Sequence, residues 1–78
     1  MRQVLLVIES EEFGKRICKD LQRDFNVLLC QNTADALHLM DSKIDALVLQ
    51  MELPGMDGLT FLERLPFRPA VILPLAAM

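Results

Sequence analysis

The sequence predicts a parallel α/β domain in which four strands alternate with three helices. Three observations carry that prediction. Short apolar runs recur at Val4 to Ile8, Asn26 to Cys30, Ala46 to Leu49 and Ala70 to Leu73, and their continuous character suits strands covered on both faces. The stretches between them have helical apolar spacing and begin with good cap residues. Regular alternation of strand and helix is what right-handed crossovers turn into a parallel sheet. The commonest small arrangement sets the first strand between the second and third, giving the order 2-1-3-4. Any ligand then lies outside the carboxyl ends of strands one and three.

The first strand is "VLLVI", Val4 to Ile8. Ser10 offers an N-cap for a helix running to about Arg23, with Glu11 and Glu12 in the first turn and basic residues later, as the helix dipole favours. Phe13, Ile17 and Leu21 make its apolar stripe, with Cys18 beside it. "NVLLC", Asn26 to Cys30, is the second strand. Thr33 is expected to cap a short helix carrying Ala36, Leu37 and Met40. "ALVL", Ala46 to Leu49, is the third strand, followed by a turn over Pro54 to Gly58. A third helix carries Leu59, Phe61, Leu62 and Leu65 and is broken by Pro66. "AVIL", Ala70 to Leu73, closes the series.

A chain of 78 residues is one domain or part of one, expected to bury about 60% of the surface its unfolded form exposes. Its hydrophobic content of 53% exceeds what so small a globule needs if it meets only water. A mean hydropathy of +0.32 points the same way, and so to a surface that meets a partner. The net charge of −3 argues against direct nucleic-acid binding, because phosphate contacts want a basic face. Lys15, Arg16, Lys19 and Arg23 cluster in one segment and read as a solvated helix face. Cys18 and Cys30 lack metal-site spacing and read as small core residues in a reducing compartment. The first apolar run is too short for a signal peptide or a membrane span, which leads to an expectation of a cytoplasmic protein.

The 2-1-3-4 arrangement places Ile8, Glu9 and Ser10 beside Gln50, Met51 and Glu52. An uncharged amide, Gln50, therefore stands at the end of the third strand, where such domains carry their chemistry. Asp57, before a glycine, reads as a helix cap. Asp45 lies at the opposite end of the strand, and the imidazole of His38 suits the carboxyl end of the second helix.

In this order of elements, "VLLVIES", "FNVLLCQNTADAL", "DALVLQMELPGMDGLTFLERL" and "PAVILPL" together resemble a response-regulator receiver domain, the phosphoacceptor module of two-component signalling. The resemblance runs from Val4 to about Leu75 and implies a flavodoxin-like, CheY-like sheet, cut short before a fifth strand. It implies an acidic pair at Ile8 and Glu9 for Mg²⁺, a phosphoacceptor at Gln50 and a hydroxyl residue at Pro74. A lysine after the fifth strand has no counterpart. The acidic pair at Ile8 and Glu9, the phosphoacceptor position Gln50 and the hydroxyl position Pro74 are all degenerate, with Glu9 the acid that remains. A carboxamide lacks the nucleophilicity to accept a phosphoryl group, and Glu9 with Glu52 makes a poor cage, so Mg²⁺ binding is not expected.

The reading is therefore a degenerate receiver, not an enzyme, acting as a phosphorylation-independent interaction or dimerisation module in signal transduction. The alternative is a receiver that still takes a phosphoryl group through another acid. A nucleotide-binding reading lacks a glycine-rich loop, since "ESEEFG" has its glycine inside the helix. Protein partners are expected: a second copy of the chain, through an interface that includes Val71, Ile72 and Leu73 and the apolar sheet face beside the first helix and forms by edge pairing, face packing or exchange of the final segment, or an output domain beyond Met78.

Overall fold

β1, Gln3–Val7, lies inside the sheet and is its most buried strand, with Leu5, Leu6 and Val7 fully enclosed. In the computed structural model, which describes residues 2–53 and 56–75, β1 leads through Ser10 into α1, Glu11–Leu21. β2 follows at Asn26–Cys30, then α2 at Thr33–Leu39, β3 at Ile44–Gln50, α3 at Gly58–Glu63 and β4 at Val71–Leu75. The four strands are parallel in the order β2-β1-β3-β4, as expected.

Alternation along the strands divides the core into two layers. Val4, Leu6, Ile8 and Val48 face α1 and pack with Phe13, Ile17, Cys18 and Leu21. Leu5, Val7, Leu47 and Leu49 face the other side, where Ala36 and Met40 from the α2 region and Phe61 from α3 cover them. Cys30 belongs to this second layer, and burial pushes its thiol pKa up to about 11. A thiol so protonated is a packing residue rather than a nucleophile. The basic cluster on α1 is exposed, with Lys15 paired to Glu11 at 2.9 Å and Arg16 to Glu12 at 3.6 Å. Among the described residues no helix is long and apolar enough to cross a membrane.

Several boundaries differ from the sequence expectation for identifiable reasons. Ser10 caps α1 as expected, accepting from the Phe13 N–H at 3.1 Å, but the helix stops at Leu21. Asn32, not Thr33, caps α2: its Oδ1 accepts from the Asp35 N–H at 2.8 Å, and its Nδ2 donates to the Asp35 carboxylate at 3.0 Å. Extended backbone at Asn32 lets its side chain reach forward, while Thr33 is already helical and buried. β3 begins two residues early because Ile44 joins the core. Asp45 thus lies within the strand, and at the register shift beside Gln3 its carboxylate accepts the Gln3 N–H at 2.8 Å.

β4 runs from Val71 to Leu75, so Pro74 sits inside it, opposite Leu49. The strand tolerates this residue for a geometric reason. The Leu75 carbonyl accepts from the Met51 N–H at 3.0 Å, so Leu75, and by alternation Leu73 and Val71, turn their backbone groups toward β3. Ile72 and Pro74 turn theirs outward. The N–H that proline lacks would have faced away from the sheet, and no β3–β4 bond is lost.

Candidate functional site

The carboxyl ends of β1 and β3 lie side by side, Val7 opposite Leu49, and bring the loops that follow them together. Gln50 joins those loops. Its Oε1 accepts from the Glu9 N–H at 2.9 Å, and its Nε2 donates to the Glu52 carbonyl at 2.8 Å. The first bond crosses from β3 to the β1–α1 loop; the second folds the β3–α3 loop back over the strand end. These partners also fix the orientation of the amide, because the opposite orientation would set two donors and two acceptors against each other.

A carboxylate cannot make this pair of bonds, since an ionised acid accepts but does not donate. Gln50→Glu keeps the length and shape of the side chain and turns one bond into a carboxylate facing the Glu52 carbonyl. We expect it to cost about 1–3 kcal/mol near neutral pH. The introduced carboxyl should have a raised folded-state pKa, because only its protonated form donates to that carbonyl. Its protonated state is favoured in the fold, so the deficit relative to the wild type should be absent below the ordinary glutamate value of about 4.3. It should grow as pH rises through the raised value. Urea titrations of both proteins across this range provide the check, and a deficit independent of pH would count against the donor role of the amide.

The other expected site positions fall as follows. Ile8 follows β1 but is 1% exposed, with its side chain in the α1-side core and its N–H bonded to the Cys30 carbonyl at 3.0 Å. It is a packing residue and offers no ligand. Glu9 and Glu52 are exposed, one on each side of the Gln50 amide. Leu75, rather than Pro74, is the sheet neighbour of Gln50, because β4 is longer than expected. Pro54 and Gly55, part of the expected turn, and residues 76–78 lie outside the described residues.

Asp57 is occupied as the cap of α3, accepting from the Thr60 N–H at 2.8 Å, and that bond holds its carboxyl below the ordinary aspartate range. The approach to this cap is tight. Gly58 donates to the Met51 carbonyl at 2.9 Å, and a Cβ on Gly58 would lie 2.7 Å from the Met51 sulfur and 3.0 Å from the Met51 Cα. Only glycine allows so close a return of the chain toward the end of β3.

Magnesium fits this donor set poorly. It takes oxygen ligands in near-octahedral array and prefers carboxylates, whereas Ile8 is apolar and both polar ends of Gln50 are already hydrogen-bonded. Among the described residues no group of three or more His, Cys, Asp or Glu side chains is placed to hold a metal ion. The clasp itself was missed by reasoning from sequence, although one signal for it exists. An amide at a strand end is the side chain that accepts from one loop while donating to another.

No protein-family model and no curated protein matches the sequence. Solved structures do match. The response regulator receiver domain (CheY-like) from Methylobacillus flagellatus superposes with a TM-score of 0.87 at 20% identity, covering 100% of this chain and 71% of that one. The non-phosphorylated HemR receiver domain from Leptospira biflexa gives 0.78 at 22%, covering 95% and 82%. A chain from the complex of histidine kinase ThkA with response regulator protein TrrA gives 0.83 at 25%, covering 99% and 70%. The chain has the CheY-like receiver fold.

Proposed function

We propose that this receiver-fold domain is a phosphorylation-independent interaction module of signal transduction, working through protein contacts rather than phosphoryl transfer. The observation that carries the reading is the state of Gln50. At the position where the resemblance puts a nucleophilic carboxylate, a neutral amide bridges the Glu9 N–H and the Glu52 carbonyl. A phosphoryl donor meets no nucleophile there. Two acids that could replace it are otherwise engaged: Asp57 caps α3, and Glu11 is paired with Lys15, while Glu9 and Glu52 meet the amide through their backbone groups. The matched kinase–regulator complex and the apolar composition support a protein as the partner, either a second copy or a domain attached elsewhere in a longer chain.

The same reading makes the domain indifferent to Mg²⁺. Titration with Mg²⁺, followed through the backbone resonances of Glu9, Gln50 and Glu52, is expected to give no site-specific saturation below tens of millimolar, unlike a carboxylate-rich site. Saturation near a millimolar would contradict it.

A further inference from the structure

The short segment that ends β3 is bonded in several directions at once. The Gln50 Oε1 reaches the loop between β1 and α1 by accepting from the Glu9 N–H, while its Nε2 donates to the carbonyl of Glu52, two residues on. That second bond closes a ring that includes Met51. Both backbone groups of Met51 are engaged in turn: its N–H donates to the Leu75 carbonyl at 3.0 Å, and its carbonyl accepts from the Gly58 N–H at 2.9 Å. Its sulfur fills the space that a Cβ on Gly58 would need. A run of hydrogen bonds therefore leads from Glu9 through Gln50 and Met51 to the first residue of α3. Among the described residues no other hydrogen bond joins the β1–α1 loop to the segment between β3 and α3.

We propose that the Gln50 amide is a latch that couples these two segments, so that the β1–α1 loop and the start of α3 open and close as one unit. Neither segment is strongly held on its own. Glu9 and Glu52 are exposed, and α3 has six residues, too few to persist without tertiary contacts. Segments of this kind open locally, at a free energy below that of global unfolding. With the amide in place, release of the loop at Glu9 frees the ring around Met51, and with it the carbonyl that holds Gly58. The side chain thus does from within the chain what a ligand bound between the loops would do. Such coupling is reciprocal. A protein that grips the loop at Glu9 orders the start of α3, and one that grips α3 orders the loop. The latch is a property of this end of the sheet and does not rest on the reading of the domain as a protein-contact module.

The test is native-state amide exchange in the wild type, Gln50→Leu, Ser10→Ala and the double variant, with the amides of Leu5 and Leu6 in β1 reporting global unfolding. Gln50→Leu removes both bonds and leaves the exposed partners to water. It is expected to speed exchange at Glu9 and Gly58 alike, by about tenfold for two lost hydrogen bonds, with no matching change in β1. Gly58 is the informative amide, since it is bonded to Met51 and not to Gln50. Ser10→Ala loosens the β1–α1 loop from its far end by removing the cap of α1. It should speed exchange at Gly58 when Gln50 is present and have no effect there in the Gln50→Leu background, which is the signature of coupling through the amide. A Gly58 amide indifferent to either single change, or an equal effect of Ser10→Ala in the two backgrounds, overturns the inference. The phosphorylation-independent reading would stand in that case, since it falls by phosphoryl labelling and not by amide exchange.

Discussion

Ile8→Asp is expected to unfold the domain. The position aligns with one of the acids that the receiver resemblance implies, yet Ile8 is 1% exposed and packs in the α1-side layer, 3.7 Å from where a Cβ on Gly14 would stand. A carboxylate there loses the packing of a large aliphatic side chain and takes a charge out of water with no partner, a combined cost of about 4 kcal/mol or more. Stability of about 0.05–0.15 kcal/mol per residue leaves a domain of this size only about 4–12 kcal/mol in total. Urea unfolding followed by circular dichroism should place the variant at or beyond the edge of folding, and a midpoint close to that of the wild type would refute the assignment of Ile8 to the core. The consequence for function is direct. Acids restored together at positions 8 and 50 do not rebuild a metal site, because the first of them removes the layer on which α1 rests.

Phe61→Ala should have a comparable effect by a different route. Phe61 is among the largest of the fully buried side chains and the chief anchor of α3, a helix of six residues. So short a helix does not persist without tertiary packing. Truncation of a buried aromatic costs about 3–5 kcal/mol, and here it also releases the segment that carries Asp57 and returns Gly58 to Met51. Loss of amide-exchange protection over residues 58–63 ahead of the β1 amides is the expected signature. Retention of protection there, with an unchanged unfolding midpoint, would mean that other contacts hold α3 in place.

The fold was legible because its signals are redundant. Continuous apolar runs, helical stripes and the alternation of the two agree with one topology, so an error of one or two residues at an end of β1, β3 or β4 changes nothing in strand order. Caps were legible where residue type and following sequence coincide, as at Ser10 and Asp57, and were misplaced at Asn32, where two good cap residues stand next to each other. The site was legible in part. That Gln50 ends β3 follows from the apolar run before it; that its amide ties two loops together does not, because the Glu9 N–H and the Glu52 carbonyl are brought to it only by the packed sheet.

Ile8 illustrates a different limit. From sequence it is equally a degenerate ligand or a core residue, and the direction of its side chain decides between them. From sequence Pro74 reads as the residue after a strand, since proline ends strands more often than it sits within them. The alternation of backbone groups on an edge strand, visible only once Leu75 is paired to β3, explains why it is accommodated.

The central claim is that a neutral clasp stands where a phosphoacceptor would be, and one measurement tests it most directly. The purified protein is incubated with acetyl phosphate and Mg²⁺, and its intact mass and acid-labile phosphate are followed over time beside a receiver domain of known competence. The account predicts an unchanged mass and no labile phosphate while the reference protein is labelled. Stoichiometric, acid-labile labelling of any side chain in this domain would contradict it.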